Sequence, residues 1–204
     1  MQETLRRRAT YADLEAVPPH LVAEILHGEL VTHPRPTGDH SRTHFKLGSV
    51  LGPSFGEQIG GPGGWTFLTE PELHFDDGEV AVPELAGWRL ERIPAPPAPD
   101  PLSPVKIRLV PDWVCEILSP STEKYDRCQK REIYAEAGIG HLWLVDPRSR
   151  VLEAFVLKER QWVLAGTCAG DVEVRIVPFD ALEFRLGRIW PPDRSGSDAD
   201  PVTA

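Results

Sequence analysis

The sequence predicts an α/β fold, and three neighbouring segments carry that expectation. Residues 107–118 form an apolar run closed by Ser119-Pro120, which reads as a buried strand ending in a turn. Residues 122–137 follow as a helix stopped by Gly138. Residues 141–145 are a second short apolar strand. Alternation along the first strand puts Trp113, Cys115 and Ile117 on one face and Val114, Glu116 and Leu118 on the other. Glu116 therefore sits among apolar neighbours. An ionised carboxylate there is costly unless it is paired, protonated or bound to a metal.

The remaining elements follow in order. Residues 10–15 read as a short helix with Thr10 and Asp13 near its start. Residues 22–26 and 29–33 are apolar-rich runs joined by His27-Gly28, a hairpin signal. Over 39–56, His44, Leu47 and Leu51 recur at helical spacing. Residues 65–69 and 72–75 are strands, and Asp76-Asp77-Gly78 turns the chain into another strand over 79–86. The Pro-rich stretch 93–104 cannot be regular structure and is expected as a surface excursion. Beyond 145, strands are expected at 151–157, 161–165 and 172–176. Residues 1–190 are expected to form one domain, and 191–204, small, polar and rich in Pro and Asp, a disordered tail.

Composition narrows the class. The chain has 204 residues, enough for one sizeable core, with 41% hydrophobic and 26% charged residues, ordinary values for a soluble domain. It has no run of about 18 apolar residues, so no membrane span is expected. Arg6-Arg7-Arg8 is not followed by the apolar stretch of a secretory signal. Cys115, Cys128 and Cys168 are scattered and odd in number, which fits free thiols in a reducing compartment, the cytoplasm. A net charge of −9 argues against indiscriminate nucleic-acid binding and leaves room for a local basic patch.

The chemistry centres on Glu116. The following helix carries Asp126, Lys130 and Tyr134 at i, i+4 and i+8, along one face, so Lys130 can approach Glu116 if that helix packs beside the strand end. A lysine there can screen charge developing on a phosphate. Magnesium is held by oxygen ligands, usually including one or two carboxylates, so a second acid is needed. Asp112 precedes Glu116 by four residues on the same strand, about 13 Å away, too far to share an ion. Glu84, in Pro83-Glu84, can be brought level by a neighbouring strand and is preferred. Other candidates read as structural. His40 and His44 share a helix face but lack the glutamate of a zinc-protease motif. Ser119 and Ser121 lack a nucleophile elbow and suit a turn and a cap.

The run from Pro111 to Thr122, then Asp126, Lys130, Tyr134 and Gly138, then Leu142-Trp143-Leu144-Val145-Asp146-Pro147, resembles the Uma-two family of restriction-endonuclease-like proteins in the PD-(D/E)XK nuclease superfamily. Upstream, the stretches from Glu24 to Leu30 and from Pro83 to Arg89, with His40 opening the first long helix, are similar to the same pattern. The resemblance covers roughly residues 10 to 190. It implies a three-layer core, a central mixed sheet flanked by helices. It implies Glu84 and Glu116 as carboxylates for Mg²⁺, with Mn²⁺ as the alternative ion, and the Ile117 carbonyl as a further ligand. Lys130 would be the catalytic lysine, moved from strand to helix because Leu118 fills the usual position, and Glu24 an auxiliary acid. Asp126 and Tyr134 would support the helix face. The implied activity is metal-dependent hydrolysis of DNA by a homodimer. The rival readings are an inactive member serving as a DNA-binding or protein-interaction module, and hydrolysis of RNA or another phosphodiester. The resemblance departs at one position: the pattern has Asp where this chain has Glu84, so an aspartate there is expected to suit Mg²⁺ better.

Overall fold

The computed structural model describes residues 7–35 and 38–192. The expected tail falls almost wholly on 193–204, outside the described residues. In chain order the elements are α1 Tyr11–Glu15, β1 Leu21–Leu26, β2 Glu29–Pro34, α2 Gly38–Leu51, β3 Trp65–Thr69, β4 Glu72–His74, β5 Val80–Ala81 and β6 Leu85–Arg89. Then come β7 Lys106–Ile107, β8 Trp113–Ile117, α3 Glu123–Tyr125, α4 Arg131–Ala137, β9 His141–Asp146, β10 Val151–Lys158, β11 Gln161–Ala169, β12 Glu173–Val174 and β13 Phe184–Arg185. Single π-helical turns extend α2 over Gly52–Gly56 and join α3 to α4 over Asp126–Lys130.

The central layer is a six-stranded mixed sheet in the order β11-β10-β9-β8-β6-β3. Its one parallel pair is β8 with β9, joined by the α3–α4 helix; every other pair is antiparallel. A parallel neighbour needs a crossover, and the helix supplies it. Gly138, at φ 80°, ends that helix in the left-handed conformation that a residue with a Cβ adopts at a cost. A second sheet, β2-β1-β5-β4-β7, packs on the α4 side. Its β1–β2 hairpin turns through His27 and Gly28, both at positive φ, the geometry that follows the strand twist.

The alternation read from β8 holds. Trp113, Cys115 and Ile117 face Leu47, Val50 and Leu51 of α2, and also the C-terminal segment around Phe179. Phe179 makes ring contacts with Phe55, Trp65, Phe67, Trp113 and Trp143, closing that layer. Val114 and Leu118 face Ile133 and Tyr134 of α4 and Leu26, Leu73 and Ala81 of the second sheet. The fold is thus the expected α/β three-layer, restriction-endonuclease-like arrangement, with a small sheet sharing one outer layer with the helix.

Several element boundaries are corrected. The strand expected over 79–86 is two strands in different sheets: β5 ends at Ala81, β6 starts at Leu85, and Val82-Pro83-Glu84 carries the chain across. Pro83 has no N–H for a ladder, so a break is favoured there. The strand expected over 107–118 also divides, with β7 in the small sheet and β8 in the large one, and Pro111 lies in the gap. β11 runs to Ala169, beyond the expected 165, because β10 pairs with it along its whole length. β12 is only two residues long, and β13, unread from the sequence, pairs with it. Residues 93–105 carry no helix or strand, as the prolines dictate.

Candidate active site

Four acids from four separate segments meet around one lysine. Glu24 comes from β1, Glu84 from the crossing between the two sheets, Glu116 from β8, and Asp126 and Lys130 from the π-helical turn. Lys130 Nζ lies 2.8 Å from Glu116 Oε1, 3.1 Å from Glu24 Oε1 and 3.4 Å from Asp126 Oδ1, and donates to the Val82 carbonyl at 3.3 Å. An ammonium has three protons for these four acceptors, so its donors are fully engaged. Tyr134 donates to Glu116 Oε1 at 2.5 Å. Glu24 Oε1 also accepts the Val82 N–H at 2.7 Å. Both main-chain groups of Val82, left free where the chain changes sheets, are thereby satisfied by site side chains.

The sequence-predicted residues Glu24, Glu84, Glu116 and Lys130 converge. Asp112 stays apart, accepting the Arg89 N–H and pairing with Arg92. Three groups outside the predicted set join the cluster. Asp126 was read as support for the helix face and is instead one of the buried acids around Lys130. His40 Nε2 lies 2.9 Å from Glu84 Oε1, and His33 Nε2 lies 3.4 Å from Glu24 Oε2. His33 was legible in principle: Glu24 pairs with Val31, and His33, two residues on, shares that face of the hairpin. No local spacing links His40 to Glu84. Ile117, implied as a carbonyl ligand, gives its N–H to Glu84 Oε2 at 3.2 Å, while its carbonyl lies against the His40 ring.

The electrostatics follow from burial. Glu24 and Glu116 are fully buried, Asp126 and Lys130 nearly so, and Glu84 keeps 16% of its side chain exposed. Desolvation raises the Glu84 carboxyl to about 7, against the pull of Glu116 and Lys130. Desolvation likewise raises Asp126 to about 7, with Lys130 opposing. Glu116 is pushed well up by burial, with Lys130 opposing and Glu84 adding to the rise. Lys130 is held well above its ordinary value: burial alone would lower it, but Glu116 and Glu24 outweigh that effect. Burial lowers His40, partly offset by the Ile117 carbonyl and by Asp126 and Glu116.

These groups border a cavity of about 260 Å³. Glu84, Asp126, Lys130 and His40 line it, with Arg35 and the hydroxyl cluster of Ser119, Ser121 and Thr122 at its walls. A divalent cation fits the donor set. Glu84 adds to the upward push on the buried Glu116 carboxyl, so the pair favours a proton or a cation. Glu116 Oε2 is buried without a donor. The buried acids outnumber the single lysine, so a cation can replace the proton with a gain in charge balance. Among the described residues no group of three or more His, Cys, Asp or Glu side chains forms a ready ligand set. An ion held here would take its other oxygens from main chain, water or phosphate, as Mg²⁺ commonly does.

A mixed sheet with a helical crossover, carrying an acid–lysine cluster on its interior strand β8, defines a protein of the restriction-endonuclease-like class. The chain belongs to the Uma2 family, described as "Putative restriction endonuclease", whose model matches residues 8–186. A solved structure from Anabaena variabilis ATCC 29413, described as a putative nuclease belonging to DUF820, superposes with a TM-score of 0.71. It covers 89% of this chain and 97% of that one at 19% identity, a likeness of fold. Comparison with curated proteins gives no match.

Proposed function

We propose that this protein is a Mg²⁺-dependent endonuclease that hydrolyses DNA phosphodiester bonds. The observation that carries the reading is the convergence of Glu84, Glu116 and Lys130 from segments far apart in sequence, with Glu84 and Lys130 lining one cavity and Glu116 buried against Lys130. Family membership supports the choice of nucleic acid as substrate. Glu84 and Glu116 would hold the ion, Mg²⁺ or Mn²⁺, with the Ile117 carbonyl as a further oxygen. When bound, such an ion neutralises charge on the phosphoryl group and lowers the pKa of a water beside it.

The chain's own residues supply the rest. Lys130 places a fixed positive charge at the cavity wall, where it stabilises charge gathering on the transferring phosphoryl oxygens. Glu24 and Asp126 hold the ammonium from behind and from the helix, so it is set before substrate arrives. Tyr134 fixes the orientation of Glu116. Arg35 and the Ser119–Ser121–Thr122 hydroxyls offer donors to neighbouring phosphates. Cutting both strands of a duplex calls for two such sites, hence a homodimer, and three unpaired cysteines suit the cytoplasm.

Supercoiled plasmid, incubated with Mg²⁺, Mn²⁺ or a chelator, tests the reading. Nicking and linearisation should require the ion, and Glu116→Gln should cut at least about a hundredfold more slowly while keeping its fold by circular dichroism. One observation favours a second reading: both Glu84 oxygens already have protein partners. A folded wild-type protein that cuts neither DNA nor RNA in any ion would establish the binding-module alternative. Cleavage of RNA alone would change the substrate.

A further inference from the structure

We infer that His40 is a positioning residue for the proposed cation site, and that with the Ile117 N–H it forms a two-point clamp built to the length of a glutamate. The inference rests on the metal-site reading above and extends it to a residue that the sequence leaves outside the site. Glu84 is not on a strand. It lies in the irregular crossing between β5 and β6, and its side chain has three torsions, so the ladder does not fix where its carboxylate goes. Two contacts do, one on each oxygen. His40, on the first turn of α2 and 5% exposed, meets Oε1 at 2.9 Å. The Ile117 N–H, on β8, meets Oε2 at 3.2 Å. A hydrogen bond on one oxygen and a close imidazole on the other hold the carboxylate in place.

Besides Glu84, His40 meets the Ile117 carbonyl. Its Nδ1 is buried without a hydrogen-bond partner, a cost an apolar side chain on the same helix face would not carry. Its contacts with Glu84 and the Ile117 carbonyl offset that cost. Outer partners that orient a ligating carboxylate typically account for 10- to 100-fold of metal affinity. Shortening Glu84 by one methylene withdraws the carboxylate by about an ångström from contacts already at 2.9 and 3.2 Å, enough to lose both. The clamp therefore reverses the expectation drawn from side-chain length alone: Glu84→Asp should weaken the site.

Mn²⁺ affinity, measured by titration calorimetry on the full chain, tests this with four variants. His40→Ala should bind about 10-fold to 100-fold more weakly than wild type, and His40→Gln, which keeps a donor, should recover most of the loss. Glu84→Asp should lose about 10-fold in the wild-type background and little more when combined with His40→Ala, because both remove one interaction. Wild-type affinity in a folded His40→Ala protein, or tighter binding by Glu84→Asp, would overturn the clamp. If His40→Ala does not fold, the Glu84→Asp result decides alone, weaker binding supporting the clamp. If the wild-type protein binds neither Mn²⁺ nor Mg²⁺, the metal-site reading falls and the clamp with it.

Discussion

Lys130 is a buried cation whose environment would be untenable without it. Glu24, Glu116 and Asp126 all pair with its ammonium, and Tyr134 already donates to Glu116. Removing the charge while keeping the stem leaves buried acids without their counter-ion, the arrangement that costs most in protein interiors. Lys130→Met should therefore lose about 3–5 kcal/mol of unfolding free energy at neutral pH in metal-free buffer. The loss should shrink near pH 5, where Asp126, raised to about 7, holds its proton. Urea unfolding at the two pH values measures this, and a loss below about 1 kcal/mol at neutral pH would mean the cluster is neutralised some other way.

At the scale of elements, the site depends on how closely β6 and β8 approach. Gly87 pairs with Trp113 across that seam. A Cβ there would meet the Phe67 ring at 3.0 and 3.1 Å and Trp113 at 3.3 Å. The neighbours are rings in the aromatic packing around Phe179, so they cannot swing clear as a surface side chain would. Gly87→Ala should destabilise by about 1–3 kcal/mol through overpacking, measured by urea unfolding. It should also lower the proposed cleavage, since Glu84 immediately precedes β6 and Glu116 lies on β8, the two strands pushed apart. Unchanged stability would show that the rings have room to move.

The whole molecule has a pH response set by the same cluster. Glu84 rises from 4.5 to about 7 and Asp126 from 3.8 to about 7. Between those values the folded chain holds protons that the unfolded chain has released. The stability from these groups is complete below about pH 4 and is lost as pH rises through about 7. On the proposed reading a divalent cation would replace the protons, and a ligand that binds only the folded state stabilises it in proportion to its affinity. The melting temperature of metal-free protein should fall from pH 5 to pH 8. Saturating Mg²⁺ should raise it little at pH 5 and by several degrees at pH 8, and Glu116→Gln should lose most of that gain. An Mg²⁺ effect independent of pH would argue against exchange of cation for proton.

The sequence by itself determined the central strand and its two faces, the helix that stops at Gly138, the hairpin around His27-Gly28 and the meeting of Glu116 with Lys130. Each is written in local spacing: alternation every two residues, recurrence along a helix, a turn that only certain backbones make. It also singled out Glu84 over Asp112, because chain geometry alone separates two residues on one extended strand. Only the tertiary structure decided that Glu84 lies off the strands, that residues 107–118 divide between two sheets, and that Asp126, His33 and His40 complete the cluster. Those outcomes depend on which sheet edge is free to pair and which buried oxygen lacks a donor. Such demands act between residues tens of positions apart, as between His40 and Glu84, and leave no period in the sequence.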